Sequence, residues 1–278
     1  MDTLKLGLIG ENIGQSQAPR LHRLAGALCG LDVTYDLLVP RDMGLDFEAV
    51  FERCAERGYR GINITHPYKE TAAAKVTIGD ALVRAIGAVN TVVFESGGPK
   101  GFNTDYSGFV AGYRGTIGRT RPGAVCLVGA GGVGKAIAFG LVALGVEDLK
   151  IVERDLAKAE ALAGALRTAQ PRLRVTVTDS VRTAVAGAHG LINATPMGMV
   201  GCEGTPIAKD LMNGANWAFD AVYTPVDTQF LRDVEDMGLS VLSGYELFFF
   251  QGVHAFRIFC GREVDETLLR AELMREAA

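Results

Sequence analysis

Short apolar segments alternate with longer amphipathic segments from the beginning of the chain. Alternation of this kind predicts strands separated by helices, with the chain crossing over between neighbouring strands. The apolar runs predict strands at 4–9, 33–39, 61–65 and 89–94, and the amphipathic segments predict helices at about 19–28 and 46–57 and two shorter ones before the last strand. The pattern is typical of a largely parallel sheet with helices on both faces.

A second series of the same kind begins near Gly123. It contains predicted strands in the segments AVCLV, DLKIVE, RVTVT, GLINAT and NWAFDAV and a short one at 239–242, with predicted helices between them. Residues 244–274 predict two more helices. Because the second series is complete without them, we expect these two helices to pack back on the first domain.

A glycine-rich turn stands between the strand AVCLV and a long predicted helix. Its residues are Gly129, Ala130, Gly131, Gly132, Val133 and Gly134. In a strand–turn–helix context, glycines at this spacing permit the tight turn, the approach of a pyrophosphate to the backbone and the close packing of helix on strand. The N–H groups of the helix N-terminus then face the phosphates. The segment therefore predicts a dinucleotide site, and a merely tight turn is the weaker interpretation.

The next predicted strand ends in Glu153 and Arg154. Glu153 lies near the expected offset of about 20 residues for an acid that binds the adenosine ribose hydroxyls. A carboxylate at this position repels a 2′-phosphate, whereas Arg154 is able to accommodate one. Because acids flank Arg154 on both sides, we expect NAD rather than NADP, with Arg154 solvated or stacked on the adenine.

The two series predict an α/β protein of two domains. We expect an N-terminal α/β substrate-binding domain at 1–104, a Rossmann NAD(P)-binding domain at 105–242, and C-terminal helices at 243–278 that return to the substrate domain. Ligands of such folds bind at the carboxyl ends of the strands, so we expect the active site in the cleft between the domains.

Charge and cysteine content exclude several classes of function. The net charge is -4 and no run of basic residues occurs, which argues against nucleic-acid or anionic-membrane partners. Neither a signal peptide nor an apolar run of about 18 residues is evident, and the five scattered cysteines are typical of a reduced, cytoplasmic protein. The four histidines lack metal-ligand spacing, so we expect no metal site.

Several motifs in register give the chain a family resemblance over essentially its whole length. They are SQAP at 16–19, NITHPYKE at 63–70, GAVNT at 87–91, NTDYSG at 103–108, GAGGVG at 129–134 and NATPMGM at 193–199, with Tyr223, Gly244 and Gln251 after them. In this the chain resembles the shikimate dehydrogenase family, and within it the NAD-preferring quinate/shikimate dehydrogenases.

The resemblance implies a catalytic pair, Lys69 and Asp105. Oxidation of an alcohol requires a group that takes the hydroxyl proton as hydride leaves for the nicotinamide, and a neutral lysine amine is able to do this. In the reverse direction the ammonium donates the proton to the carbonyl oxygen. A nearby carboxylate fixes the lysine and accepts hydrogen bonds from substrate hydroxyls. A surface salt bridge is the alternative interpretation for either residue alone.

Further binding residues follow from the resemblance alone. The implied substrate-binding residues are Ser16, Asn63, Thr65, Asn90, Tyr223 and Gln251. The implied cofactor contacts beyond the glycine turn and the 153–154 pair are Thr195, Met197 and Gly244. For Asn63 and Asn90, capping of backbone turns is an alternative that is compatible with binding. For Tyr223 the alternative is a core aromatic at a strand end.

One position departs from the family pattern. The pattern has two hydroxyl residues before the proline, and both hold the substrate carboxylate; this chain has Ser16 and Ala18. The missing donor lowers affinity by roughly 0.5–1.5 kcal/mol or more. We therefore expect weakened binding of shikimate or quinate, or a relative such as an amino-substituted ring.

Together these observations predict an oxidoreductase that transfers hydride between NAD(P) and a ring hydroxyl of shikimate, quinate or a close relative, acting as a monomer or homodimer. The alternatives are an NADP-dependent biosynthetic shikimate dehydrogenase, an amino-shikimate dehydrogenase and a non-catalytic sensor of quinate or shikimate. A dehydrogenase of the folate-methylene type is disfavoured by the NTDYSG and GAVNT motifs.

Overall fold

A computed structural model describes residues 3–275 and divides the chain into two units. The first unit comprises the chain up to Thr104 and again from Gln251 onward, and the second comprises Asp105–Phe250. The sequence pattern places the second boundary at 242/243 instead. The difference arises because Gly244–Cys260 is one uninterrupted helix, which begins in the second unit and ends in the first.

The first unit contains a mixed sheet of five strands in the order β2-β1-β3-β4-β5. The strands are β1 (Leu4–Ile9), β2 (Val33–Leu38), β3 (Gly61–Ile64), β4 (Thr91–Glu95) and β5 (Gly98–Phe102). β1 pairs in parallel with β2 and β3, whereas β3–β4 and β4–β5 are antiparallel. The sequence pattern does not reveal β5, because its residues GPKGF include two glycines and a proline, which disfavour strands. Proline is tolerated there because β5 lies at the sheet edge.

Helices cover this sheet and enclose an apolar core. They are α1 (Ala18–Leu28), α2 (Phe47–Glu56), α3 (Lys69–Ala73) and α4 (Ala81–Ile86), with α11 (Glu266–Arg275) and the later turns of α10 (Gly244–Cys260). One buried cluster joins Ile62 and Val92 of the sheet to Val50 and Phe51 of α2. Helix α2 begins where its pattern predicts, because the carboxylate of Asp46 caps the N–H of Ala49 at 2.8 Å.

The second unit has a six-stranded sheet whose strands are all parallel. They are β6 (Ala124–Val128), β7 (Asp148–Val152), β8 (Arg174–Thr178), β9 (Gly190–Asn193), β10 (Trp217–Asp220) and β11 (Ser240–Leu242), in the order β11-β10-β9-β6-β7-β8. This is the strand order of a doubly wound dinucleotide-binding fold. The predicted α/β class with a Rossmann domain is confirmed.

The remaining helices belong to this unit, except that Thr104, the first residue of the first of them, is assigned to the first unit. They are α5 (Thr104–Thr116), α6 (Gly132–Ala143), α7 (Leu156–Ala169), α8 (Val181–Val185) and α9 (Gln229–Asp236), with a short 3₁₀ helix at Lys209–Leu211. The sequence pattern does not predict α5, since three glycines interrupt it. No helix within residues 3–275 is both long and apolar enough to cross a bilayer.

Candidate functional site

Two loops of the first unit leave the sheet side by side, because β1 and β3 are adjacent and parallel. The N–H of Thr65 donates to the carbonyl of Ile9 at 2.9 Å, and the N–H of Glu11 donates to the carbonyl of His66 at 3.1 Å. The Tyr68 hydroxyl donates to Oε1 of Glu11 at 2.6 Å. Three hydrogen bonds therefore fix the loop that carries Ser16 against the loop that carries Thr65 and Lys69.

Ser16 ends the first of these loops. It is half-buried, and its Oγ accepts a hydrogen bond from the N–H of Ala18 at 3.3 Å, at the beginning of α1. The neighbouring position that would carry a second hydroxyl has only the methyl group of Ala18. Immediately before α1, this loop therefore offers the polar side chains of Ser16 and Gln17.

Lys69 is the first residue of α3 and is half-buried. Its carbonyl accepts a hydrogen bond from the N–H of Val89 at 3.0 Å, so the lysine is tied to the GAVNT segment as well as to its own helix. Thr65, four residues earlier, is also half-buried. The two implied functional residues of this loop are therefore only partly buried.

Asn63 and Asn90 have a different environment, because their amides are engaged in a buried network. Asn63 accepts from the hydroxyl of Tyr35 at 2.9 Å, and its Nδ2 donates to the carbonyl of Asn90 and to Oγ1 of Thr91. Asn90 accepts from the N–H of Thr104 at 2.7 Å and donates to its Oγ1 at 2.9 Å. These bonds run between strands and to the start of α5 rather than within one turn. Substrate binding by either residue stays a prediction.

His22 joins this network and was not singled out by the sequence. Its side chain is 1% exposed and stacks on Tyr35, with the ring centroids 4.9 Å apart. Burial lowers the pKa of His22 to about 3, although a hydrogen bond to Asn63 acts in the opposite direction. The imidazole is therefore neutral at physiological pH. The available signal was its place beside Leu21 and Ala25 on the buried face of α1.

Three glycines of the turn in the second unit differ in how much space surrounds their Cα atoms. Gly129 has a φ of +102°, and a Cβ there would lie 2.9 Å from both the carbonyl oxygen of Ala194 and Cγ2 of Thr195. A Cβ on Gly134 would clash with the carbonyl of Gly129. At Gly131, by contrast, no atom lies within 4 Å of a Cβ position. The backbone is thus closely packed on one side and open to a ligand on the other.

Helix α6 begins at this open position. Gly131 is its N-cap residue and supplies no side-chain cap, so the cap residue leaves the first N–H groups of α6 available to a ligand. A helix N-terminus of this kind favours an anion both through those N–H groups and through the helix dipole. The residues present at the turn therefore fit a pyrophosphate.

Glu153 follows β7 and is hydrogen-bonded to the glycine turn. Its Oε2 accepts from the N–H of Ala130 at 3.0 Å, and its Oε1 accepts from the N–H groups of Arg154 and Asp155 at 2.8 and 3.3 Å. Burial alone would raise the pKa of Glu153, but these backbone hydrogen bonds and nearby Lys158 hold it below its usual value. The group is therefore a carboxylate at neutral pH. Arg154 itself is exposed.

Thr195 and Met197 lie on the loop after β9, Tyr223 lies on the loop after β10, and Gly244 begins α10. Met197 is 37% exposed, and Tyr223 is half-buried and stacked on Phe248 at 5.3 Å between ring centroids. Burial raises the pKa of Tyr223. Gly244 has a packing role of its own, because a Cβ there would lie 2.5 Å from the carbonyl oxygen of Val222.

Asp105 and Gln251 lie at the two points where the chain passes from one unit to the other. Asp105 is the second residue of α5, is 6% exposed, and is the first residue of the second unit. Gln251 lies in α10 and is the residue at which the chain re-enters the first unit. Within residues 3–275, no group of three or more His, Cys, Asp or Glu side chains is placed to hold a metal ion.

Comparison with known proteins gives matches along most of the chain. A family model described as the shikimate dehydrogenase substrate binding domain matches residues 8–92, and one described as shikimate / quinate 5-dehydrogenase matches residues 116–200. The quinate/shikimate dehydrogenase (NAD(+)) of Corynebacterium efficiens is 38% identical over 98% of each chain. The shikimate dehydrogenase (NADP(+)) of Streptomyces avermitilis is 35% identical over 98% of this chain and 95% of its own.

A solved structure is similar over the same length. Quinate dehydrogenase from Corynebacterium glutamicum, in complex with NAD, superposes with a TM-score of 0.92 at 34% identity, over 99% of both chains. The similarity covers both units of the fold, so it is not restricted to the dinucleotide-binding half.

Proposed function

The chain belongs to the shikimate dehydrogenase family, and we propose from this that it is an NAD-dependent dehydrogenase that oxidises a ring hydroxyl of quinate, shikimate or a close relative. The observation that carries the choice of cofactor is the position of Glu153. Its carboxylate lies at the end of β7 and is bonded to the N–H of Ala130 in the glycine turn. An acid there receives the ribose hydroxyls of NAD and repels the 2′-phosphate of NADP.

In this proposal, residues of the second unit hold the dinucleotide. The open surface at Gly131 and the N–H groups at the start of α6 receive the pyrophosphate, and Glu153 receives the adenosine ribose. Thr195, Met197 and Gly244 would border the nicotinamide half, because a dinucleotide bound at the switch point of this strand order would extend toward β9 and β10. When bound, the nicotinamide supplies the hydride acceptor.

Lys69 carries the proton in this proposal. As the substrate carbon gives up hydride, the O–H bond breaks and the amine of Lys69 takes the proton, so that a C=O bond forms and the lysine becomes an ammonium. In carbonyl reduction, the ammonium returns the proton to the oxygen. Tethering of the Lys69 carbonyl to Val89 limits the positions that the side chain can reach.

The remaining polar residues bind the substrate in this proposal. Asp105 accepts hydrogen bonds from ring hydroxyls, while Thr65, Tyr223 and Gln251 supply further donors and acceptors. Ser16 holds the carboxylate alone, because Ala18 has no hydroxyl. Asn63 and Asn90 also contribute, chiefly by fixing the strand ends through their buried hydrogen bonds.

The cellular setting is part of the proposal. We infer that the enzyme is cytoplasmic, which the free state of all five cysteines supports. A reducing compartment keeps such thiols free. We also propose that it acts as a monomer or homodimer.

Initial rates of the purified chain with quinate, shikimate and amino-shikimate, each with NAD and with NADP, test this function. The proposal expects turnover of quinate or shikimate with a higher kcat/KM for NAD. A higher kcat/KM for NADP would favour the biosynthetic alternative, in which exposed Arg154 receives the 2′-phosphate. A higher kcat/KM for amino-shikimate than for quinate or shikimate would favour the amino-shikimate dehydrogenase. Tight binding of quinate without turnover with either cofactor would favour the sensor.

A further inference from the structure

A buried pair of polar residues joins the carboxyl ends of β9 and β10. Asn193 is the last residue of β9 and Asp220 the last of β10, they lie opposite each other in the parallel ladder, and both are 0% exposed. Nδ2 of Asn193 donates to Oδ1 of Asp220 at 2.9 Å. A carboxylate and an amide hidden in a sheet need their hydrogen bonds satisfied, so their partners show what the pair organises.

The partners of Asn193 lie in the loop that follows it. Its Nδ2 donates to the carbonyl of Met197 at 2.9 Å, and its Oδ1 accepts from the N–H and the hydroxyl of Thr195 at 3.0 and 2.6 Å. The Thr195 hydroxyl accepts in turn from the N–H of Met197 at 3.2 Å. With the bond to Asp220, both donors and both acceptor positions of the amide are used.

Asp220 holds the next two segments. Its Oδ1 accepts from the N–H of Val222 at 3.0 Å, and its Oδ2 accepts from the hydroxyl of Thr228 at 2.6 Å. Thr228 also caps α9 through the N–H of Leu231. Burial raises the pKa of Asp220, while the bonds from Thr228, Val222 and Asn193 lower it. The carboxylate thus fixes the segment that carries Tyr223.

The loop fixed by Asn193, residues 194–198, is packed against the glycine turn. The N–H of Ala194 donates to the carbonyl of Val128 at 2.8 Å, and Gly129 allows Ala194 and Thr195 an approach that any side chain would prevent. A shift of this loop therefore changes the surface presented to a dinucleotide beside the turn.

We propose that Asp220 and Asn193 are positioning residues that fix the loops at 194–198 and 221–223 for the nicotinamide half of the dinucleotide. This rests on the proposed function, since it assumes a dinucleotide that extends across β9 and β10. Neither residue touches the cofactor or the reacting atoms; each acts through Thr195, Met197 and Tyr223. Catalysis tolerates little displacement of the reacting groups. Loss of the link should therefore lower turnover even in a variant that still folds.

Asp220→Ala, Asp220→Asn and the control Asp233→Ala test the proposal in the full-length chain. The amide can still accept from Asn193 and Val222 and donate to Thr228, so Asp220→Asn should preserve the links and act as the conservative rescue. Asp233 is 9% exposed, and among residues 3–275 its side chain accepts a hydrogen bond from Gln229 of its own helix. The readouts are kcat and KM with quinate and NAD, and the dissociation constants of NAD and of AMP, which occupies the adenosine half alone.

Asp220→Ala should lower kcat by about ten-fold or more, because a misplacement of about 1 Å costs up to 10²-fold. It should weaken NAD while the dissociation constant of AMP stays within about two-fold, and Asp220→Asn and Asp233→Ala should stay near the parent. Equal weakening of NAD and AMP would show a purely structural role and overturn the proposal. So would an unchanged kcat and NAD affinity, or a loss in Asp220→Asn equal to that in Asp220→Ala.

If Asp220→Ala does not fold, Asp220→Ser serves in its place. A serine hydroxyl accepts from an N–H two residues later, so the turn at Val222 is kept while the links to Asn193 and Thr228 are lost. The results expected of Asp220→Ser, and the results that would overturn the proposal, are those stated for Asp220→Ala. Failure of the proposed function is distinguishable, because the comparison of NAD with AMP requires no turnover of quinate or shikimate.

Discussion

The backbone N–H of Ala130 donates a 3.0 Å hydrogen bond to Oε2 of Glu153. The acid expected to contact the adenosine ribose is therefore not an independent side chain but a fixed part of the glycine turn. Fixing the carboxylate beforehand reduces the entropy that would be lost on binding. In the proposed binding mode it also holds a negative charge beside the adenosine ribose, which would repel the 2′-phosphate of NADP.

Replacement of Glu153 should change cofactor preference. Glu153→Ala removes the repelling charge and the acceptor of the ribose hydroxyls while leaving exposed Arg154 in place. The ratio of kcat/KM for NAD to that for NADP should fall by about ten-fold or more, equivalent to about 1.4 kcal/mol. Steady-state kinetics with both cofactors measure this ratio.

Glu160→Ala is the matched control for that variant. Glu160 is an exposed acid of α7 that pairs with Arg167 on the surface, so its loss should leave the ratio unchanged. An unchanged ratio in Glu153→Ala as well would contradict the assignment of the ribose acid. A parent enzyme that already prefers NADP would contradict it too.

His22 should make the first unit sensitive to acid. Its pKa is lowered by burial to about 3 in the folded state, below its ordinary value of 6.5, so the unfolded chain binds more protons between these values. The free energy of unfolding should therefore decrease as pH falls below 6.5, by about 1.4 kcal/mol per pH unit for this group. That contribution should level off below pH 3.

His22→Leu tests this pH dependence, because leucine fills a similar volume and does not titrate. Urea unfolding from about pH 7 to about pH 4 should show a smaller loss of stability in the variant than in the parent. Parallel profiles would show that the buried imidazole does not account for the acid sensitivity.

The sequence predicted most of the elements and the dinucleotide turn, because both have local signals. Alternating apolar runs mark the parallel strands, and the glycine spacing marks the turn. β5 and α5 were missed because their glycines hide the pattern, although tertiary pairing and packing still stabilise them. The second unit ends at Phe250 rather than at the predicted residue 242, because the division falls within the uninterrupted helix α10.

Contacts between distant side chains could not be predicted from sequence. The amide of Asn63 bonds Tyr35 and Thr91, and nothing local to NITHPYKE indicates those partners; its role in substrate binding stays a prediction. Asp220 and Asn193 lie 27 positions apart, and only the pairing of β9 with β10 brings them together. Roles that depend on strand order become visible only in the fold.

Restoring a hydroxyl beside Ser16 should strengthen substrate binding. Ala18→Ser adds a donor at the first residue of α1, where the proposed carboxylate would otherwise meet a methyl group. The KM for shikimate should fall by several-fold, consistent with roughly 0.5–1.5 kcal/mol for one hydrogen bond. Steady-state kinetics at saturating NAD measure it.

Ala27→Ser is the control for that variant, since Ala27 is an exposed residue of the same helix. Its KM should equal that of the parent. A KM that is unchanged or raised in Ala18→Ser would show that the carboxylate is not held at this loop.

Turnover of Lys69→Ala against pH tests the central claim, that this lysine moves the proton during hydride transfer. The variant should lose on the order of 10²–10⁴ in kcat, while the NAD dissociation constant stays within about two-fold because the dinucleotide residues belong to the other unit. Lys75→Ala, which removes a lysine paired with Glu48 on the surface, should keep the parent rate. The parent oxidation rate should rise with pH, and that rise should be altered in Lys69→Ala. If Lys69→Ala instead keeps most of its turnover at every pH, the lysine has a binding or structural role, and His66 or Tyr68 must carry the proton.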